Sequence, residues 1–222
     1  PAGYAFSIWG LIYLGLFAFM IYQGRSLFKR SVQDDFVSRI GVWFIVSCLA
    51  NSFWVLAWLY EYTGTSVLIM IILLFSLVKI VINLKMELDD VPVRKIVFVW
   101  WPFSIYSGWI TVALIANIAA WLTKIGWNGF GVSEVSWTII MICIATVISL
   151  LITWTRNMRE FAMVAVWALI AIAVSNRHDH ESVFLTALIA AGIITLSTSI
   201  HAYQNRKNLY LRFIKNQPAN EK

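Results

Sequence analysis

Three stripes of aromatic and amide side chains are the part of this sequence that could do the most specific chemistry. Side chains three, four or seven residues apart lie along one face of a helix. Indole and phenol rings offer flat faces and one donor each, and an asparagine amide can hold the polar edge of a ligand. The stripes are Phe6, Trp9 and Tyr13; Asn51, Trp54 and Trp58; and Ile105, Trp109, Ala113, Asn117 and Trp121.

This spacing predicts one pocket, shared by three helices, for a flat and largely apolar ligand. The residues expected to bind it are Phe6, Trp9, Tyr13, Asn51, Trp54, Trp109, Ala113 and Asn117. The alternative interpretation is packing between helices, in which each asparagine bonds to a neighbouring helix and the rings fill the core.

Metal-binding and catalytic groups are sparse. The one cluster with metal-ligand character contains His178 and His180, two residues apart and beside acidic residues. Such a pair could bind a divalent metal, but a solvated loop is the alternative interpretation. The sequence adds no nucleophile, general base or metal cluster that would support enzymatic activity, so we expect neither catalytic residues nor an enzyme.

Seven long apolar segments must position these side chains. They cover residues 4–23, 40–60, 65–84, 97–122, 135–154, 160–175 and 183–203. Six of them approach the roughly 20 apolar residues that span a bilayer core of about 30 Å, and 160–175 is shorter. Backbone groups in lipid must be bonded within their own segment, and the alternating strands of a membrane barrel are not seen. The predicted fold is an all-α, polytopic transmembrane helix bundle.

The basic residues predict the orientation of the bundle. Of the 17 Lys and Arg residues, only Lys124 and Arg177 fall outside one set of alternate loops, counting Lys79 at its span end. Basic loops face the cytoplasm. We therefore expect an integral protein of a bacterial plasma membrane with residue 1 outside and a cytoplasmic C-terminus.

Charge and composition exclude several classes of protein. The net charge of +6 is spread over several loops, which indicates contact with anionic lipids rather than with nucleic acid. A retinal protein is excluded because span 183–203 has no lysine for a Schiff base. Every Asp and Glu lies in a loop, a tail or at a span end, so a proton pump is not expected.

Three motifs resemble those of a known family. The entry Pro1-Ala-Gly-Tyr-Ala-Phe6 followed by Trp9 and Tyr13, the pair Asn51-x-x-Trp54, and the series Trp109, Ala113, Asn117 are similar to helices of the tryptophan-rich sensory protein and translocator protein family. The resemblance covers about residues 1–122.

The resemblance implies a receptor or carrier that binds tetrapyrroles, such as porphyrin or haem, in an aromatic pocket within the membrane. It divides the chain into a translocator-like portion, 1–122, three additional helices, 123–203, and a basic tail, 204–222. An eighth helix is expected upstream of Pro1. Expected partners are membrane lipids, the hydrophobic small molecule, and a second copy or a larger membrane complex. The alternatives are a structural or assembly subunit of such a complex, and an uncoupled channel or permease.

Overall fold

The computed structural model describes residues 1–28 and 35–215, with side chains described for 1–25 and 35–205. Within these ranges the chain is helical and contains no strand. A 3₁₀ turn, Gly3–Ser7, leads into α1 (Ile8–Phe28). It is followed by α2 (Asp35–Ile40), α3 (Trp43–Leu59), α4 (Thr63–Asn83), α5 (Val93–Lys95), a π-helical turn (Ile96–Trp100), α6 (Trp101–Lys124), a second 3₁₀ turn (Gly129–Gly131), α7 (Glu134–Arg156), α8 (Arg159–Asn176) and α9 (Glu181–Lys215).

Six helical segments in the described part of the chain are long and apolar enough to cross a membrane. They confirm the prediction of a polytopic helical bundle. The seventh, α3, has 17 residues. It begins at Trp43 rather than residue 40, because Gly41 adopts a left-handed conformation (φ 54°) that separates α2 from α3. The sixth predicted span, whose length was marginal by sequence, forms the 18-residue α8.

The last helix is longer than predicted. Its apolar portion, ending near residue 205, matches the predicted span 183–203, but the backbone remains helical to Lys215. Part of the predicted tail is therefore a continuation of α9. The rest of the tail, and the side chains from residue 206, lie outside the described residues.

Contacts between loops show which loops share an end of the bundle. At one end, Arg39 pairs with Asp35 at 2.9 Å and with Asp89 at 3.7 Å, and Asn157 donates to a Glu87 carboxylate oxygen at 2.8 Å. We call this the basic end. At the other end, Lys124 lies 3.5 Å from Glu61. The loops that make these contacts lie at two different ends of the bundle, and the assignment of the basic end to the cytoplasm stays a prediction.

Helix α8 packs on α6, α7 and α9. Small side chains make this packing possible, because they let the helix backbones approach closely. In lipid the hydrophobic effect does not bring helices together, so van der Waals contact at close range must do so. The alanines of α8 and α9 that are buried include Ala162, Ala165, Ala168, Ala171, Ala173, Ala187, Ala190 and Ala191. One face of α8 joins the core of α1, α3, α4 and α6, and another joins the core formed with α7 and α9.

The start of α6 sets the height and rotation of the third aromatic stripe. Pro102 has no N–H to donate within the helix. Just before it, the Trp101 N–H donates to the Ile96 carbonyl, five residues back, and a π turn results. Pro102 also packs closely on Gly15, where an added Cβ would lie 3.4 Å from the proline ring. Trp109 therefore sits on a segment anchored against α1.

Candidate functional site

Trp9 lies at the centre of an aromatic cluster on α1, α3 and α6. Its ring stacks on Tyr13, with centroids 5.4 Å apart and planes 25° from parallel. It also stacks on Trp54 of α3, at 5.8 Å and 26°. Offset stacking at these separations is the favoured arrangement of aromatic pairs. The structure thus brings the first two stripes into direct contact.

The third stripe closes the cluster from α6. Trp109 meets Trp9 edge to face at 6.4 Å, and Phe6 meets Trp109 in the same way at 6.0 Å. Tyr106 also contacts Trp9, at 6.0 Å. Tyr106 is not among the residues predicted from the sequence, although it lies three residues before Trp109 and so shares its face.

Three buried polar atoms in and beside the cluster have no hydrogen-bond partner. They are the Nε1 of Trp54, the Nε1 of Trp109 and the Oδ1 of Asn51, which make up half of the six such atoms in the described residues. The side-chain nitrogen of Asn51 does have a partner: its Nδ2 donates to the Tyr13 hydroxyl at 3.2 Å. A buried polar group without a partner costs about 1–3 kcal/mol. Two donors and one acceptor in and beside the cluster are therefore unpaired in the structure.

The cluster is closed toward the bundle and open toward its exterior. Trp109 is 4% exposed, whereas Phe6 is 53% and Tyr13 49% exposed. The helices behind these rings pack elsewhere, α1 on α6 and α3 on α4. Side chains therefore bridge α1 and α3, and the exposed edge faces the region that lipid would occupy.

The remaining predicted site residues lie farther along α6. Ala113 is half-buried and packs against the main core one turn beyond Trp109. Asn117 is buried, and its Oδ1 accepts from the Ser66 hydroxyl of α4 at 2.9 Å. Its Nδ2 lies 3.8 Å from the Met70 sulfur. The structure thus places Asn117 between α4 and α6, about two turns from Trp109, and its role in ligand binding stays a prediction.

A separate groove of about 430 Å³ lies between α3 and α4. Its lining is entirely apolar: Val46, Leu49, Ala50, Phe53, Ile69 and Ile72. None of the unpartnered polar atoms of the aromatic cluster belongs to these residues. This groove can hold an acyl chain but offers nothing to orient a polar group.

The two histidines considered as metal ligands lie exposed between α8 and α9. In the described residues, no group of three or more His, Cys, Asp or Glu side chains is arranged to hold a metal. His178 and His180 therefore lack a third ligand there, and the chemistry of the described site is that of stacking and hydrogen bonding.

Together, the bundle and its cluster define an all-helical membrane protein with an aromatic site among three helices. A family model of TSPO-like proteins matches residues 1–200, and the chain belongs to that family. The match continues past residue 122, where the resemblance carried by the motifs ends, and includes α7, α8 and most of α9. No curated protein and no solved structure significantly matches the chain. Family and fold indicate a membrane ligand-binding or transport protein.

Proposed function

We propose that the protein is a membrane receptor or carrier for a flat hydrophobic ligand of the tetrapyrrole type, such as porphyrin or haem. One observation carries this proposal: three unpartnered polar atoms, on Asn51, Trp54 and Trp109, accompany a cluster of stacked rings that is open on one side. An unpaired buried polar atom lowers the stability of the folded protein. A ligand with both a flat ring system and polar substituents would remove this free-energy cost by hydrogen-bonding to these atoms.

The ligand enters between α1 and α3. The contact that must open is the stack of Trp9 on Trp54, and an aromatic pair contributes about 0.5–1.5 kcal/mol beyond its buried area. A macrocycle placed between the two indoles would replace one stacking contact with two. The Trp54 and Trp109 N–H groups would donate to carboxylate or carbonyl oxygens at the ligand's edge, and Asn51 Oδ1 would accept from a donor.

The arrangement supports binding and release. The groups of the cluster are indole, phenol and amide, which stack and hydrogen-bond. The open edge of the cluster lets a hydrophobic ligand arrive from the bilayer and leave to it. Sensing and transport both begin with this step.

Quenching of tryptophan fluorescence by protoporphyrin IX, measured on the protein in lipid nanodiscs, tests the proposal. We expect saturable quenching that Trp9→Leu weakens at least tenfold, or about 1.4 kcal/mol. Trp101→Phe is the control, because Trp101 is exposed at the start of α6. Equal affinity of the Trp9→Leu and control proteins, both folded, would show that the cluster does not bind porphyrin. Co-purification of a stoichiometric partner chain that protects Trp9 would favour an assembly subunit instead.

A further inference from the structure

The segment that leads into α1 is held by α8, a helix far away in the sequence. The Ala2 N–H donates to the Ala171 carbonyl at 2.9 Å. The Trp167 Nε1 donates to the Ala5 carbonyl at 3.1 Å, and the Trp167 and Tyr4 rings meet edge to face with their centroids 5.3 Å apart. Trp167 thus binds the 3₁₀ turn Gly3–Ser7 to α8 through one hydrogen bond and one ring contact.

This turn carries Phe6 onto the aromatic cluster. Ala5 is fully buried, and the next side chain, Phe6, packs edge to face on Trp109. The turn runs directly into α1, where Trp9 follows three residues after Phe6. The backbone that Trp167 holds at Ala5 therefore sets where the Phe6 ring lies relative to Trp109.

The other partner of that ring pair also depends on α8. Gly108, next to Trp109, lies so close to α8 that an added Cβ would be 2.9 Å from the Phe161 carbonyl oxygen. Phe6 and Trp109 are thus both positioned against one helix, the first through Trp167 and the second through the backbone contact at Gly108.

Trp167 does not fit the ordinary explanation for a tryptophan in a membrane protein. Interfacial tryptophans lie near helix ends, at the level of the lipid headgroups. Trp167 lies in the middle of α8 (Arg159–Asn176), about 12 Å along the helix axis from Arg159. The residue is 36% exposed, so filling the core does not explain it either.

We propose that Trp167 is a positioning residue of the aromatic site: by holding the Gly3–Ser7 turn it keeps Phe6 on Trp109, and thereby controls how fast ligand leaves. The inference rests on the proposed function, and it gives α8, a helix after residue 122, a role in positioning the aromatic site. Trp167 does not itself touch Trp9, Trp54 or Trp109 in the described ring contacts; it acts through the Ala5 carbonyl and Tyr4.

The test is Trp167→Phe, which keeps a ring beside Tyr4 and removes the Nε1 donor. Its matched control is Trp154→Phe, which removes the equivalent donation from Trp154 Nε1 to the Ser197 hydroxyl at 2.9 Å, away from the cluster. Hydrogen exchange of the amides of residues 3–8 is measured in nanodiscs without ligand. We expect exchange about fivefold faster in Trp167→Phe, equivalent to about 1 kcal/mol for one hydrogen bond, and unchanged in the control.

Release of protoporphyrin IX, followed by stopped-flow fluorescence, provides the second measurement. Dissociation should be severalfold faster in Trp167→Phe and unchanged in Trp154→Phe. Tyr4→Leu, which loosens the turn from its own side without altering α8, should show the same two effects. Its agreement with Trp167→Phe would exclude a local folding defect in α8.

Each outcome has a distinct meaning. Unchanged exchange in both Trp167→Phe and Tyr4→Leu overturns the positioning role. Faster exchange with unchanged release shows that α8 holds the turn without controlling the site, which overturns the proposal as stated. If the unmodified protein does not bind protoporphyrin, the proposed function fails, while the exchange measurement still decides whether Trp167 holds the turn.

Discussion

Trp9 of α1 and Trp54 of α3 stack with their ring centroids 5.8 Å apart and their planes 26° from parallel. This pair joins two helices whose backbones pack against other partners, α1 on α6 and α3 on α4. Opening the pair therefore affects only side-chain contacts between α1 and α3, which here also include the hydrogen bond from Asn51 to Tyr13, and leaves the helix interfaces intact. A planar ligand can enter here because its own rings replace the stacking that it displaces.

The unpartnered indole of Trp54 leads to the first prediction. In Trp54→Phe a stacking ring remains but the buried N–H is gone. We expect the free energy of unfolding to change by less than about 1 kcal/mol, since the lost ring volume is offset by removal of an unpaired donor. Porphyrin affinity should fall about tenfold, or 1.4 kcal/mol. Titration and thermal unfolding of one nanodisc preparation measure both, with Trp101→Phe as control. A stable Trp54→Phe protein with full affinity would exclude Nε1 as a ligand donor.

Ala113 provides a steric test of the same face. It follows Trp109 by one turn and is half-buried. Phenylalanine at this position would fill the space beside the helix backbone, so Ala113→Phe should weaken porphyrin binding at least tenfold, about 1.4 kcal/mol. Ala119→Phe is the control, because Ala119 is exposed on the same helix. If Ala113 only permits close packing, thermal stability will fall first and affinity will follow the folded fraction.

Gly108 tests the contact between α6 and α8. A methyl group there would lie 2.9 Å from the Phe161 carbonyl oxygen and 3.1 Å from its Cα, and neither backbone atom can move without displacing the helix. Gly108→Ala should therefore destabilise the protein by about 1–3 kcal/mol, as overpacking does. Gly192→Ala, in α9 with nothing within 4 Å of the new Cβ, should not destabilise it. Chemical denaturation in mixed micelles compares the two. Similar loss in both proteins would show that the close approach to Phe161 does not cause the effect, because helix propensity by itself favours Ala over Gly.

Asn117 distinguishes packing from ligand binding on α6. Its amide already accepts from Ser66 and lies beside Met70. Asn117→Ala should lower stability by about 0.6–1.7 kcal/mol, from the average to the largest value measured for hydrogen bonds between membrane helices. If the amide only joins α4 to α6, porphyrin affinity per folded molecule should stay the same. A tenfold loss of affinity without loss of stability would instead assign Asn117 to the ligand site.

The orientation of the bundle can be tested by labelling. We expect loops 85–95 and 154–160 to be cytoplasmic and loops 61–64, 123–134 and 176–182 to be external. In a protein lacking Cys48 and Cys143, a membrane-impermeant maleimide applied to intact cells should label Asn128→Cys and spare Arg94→Cys. Both positions are exposed, at opposite ends of the bundle. The reverse pattern would invert the topology, and permeabilised cells control for reactivity.

Much of the fold follows from local properties of the sequence. Each apolar segment must satisfy its own backbone hydrogen bonds in lipid, so length and composition alone predict a helix. The helical period alone places Trp9 with Tyr13, and Trp54 with Asn51, on common faces. Alternating basic loops predict which loops share an end, and the contacts of Arg39 and Lys124 agree.

The tertiary structure alone decided which of those faces meet. Whether Asn117 faces the rings or α4 depends on the rotation of α6, which its π turn, Pro102 and the close approach at Gly108 set against three other helices. Tertiary packing also places Tyr106 in the cluster. It likewise brings Trp167 to the Ala5 carbonyl, 162 residues away in the sequence. Periodicity defines a face but not its partner, because helix pairing in lipid is selected by backbone fit between small residues far apart in the sequence.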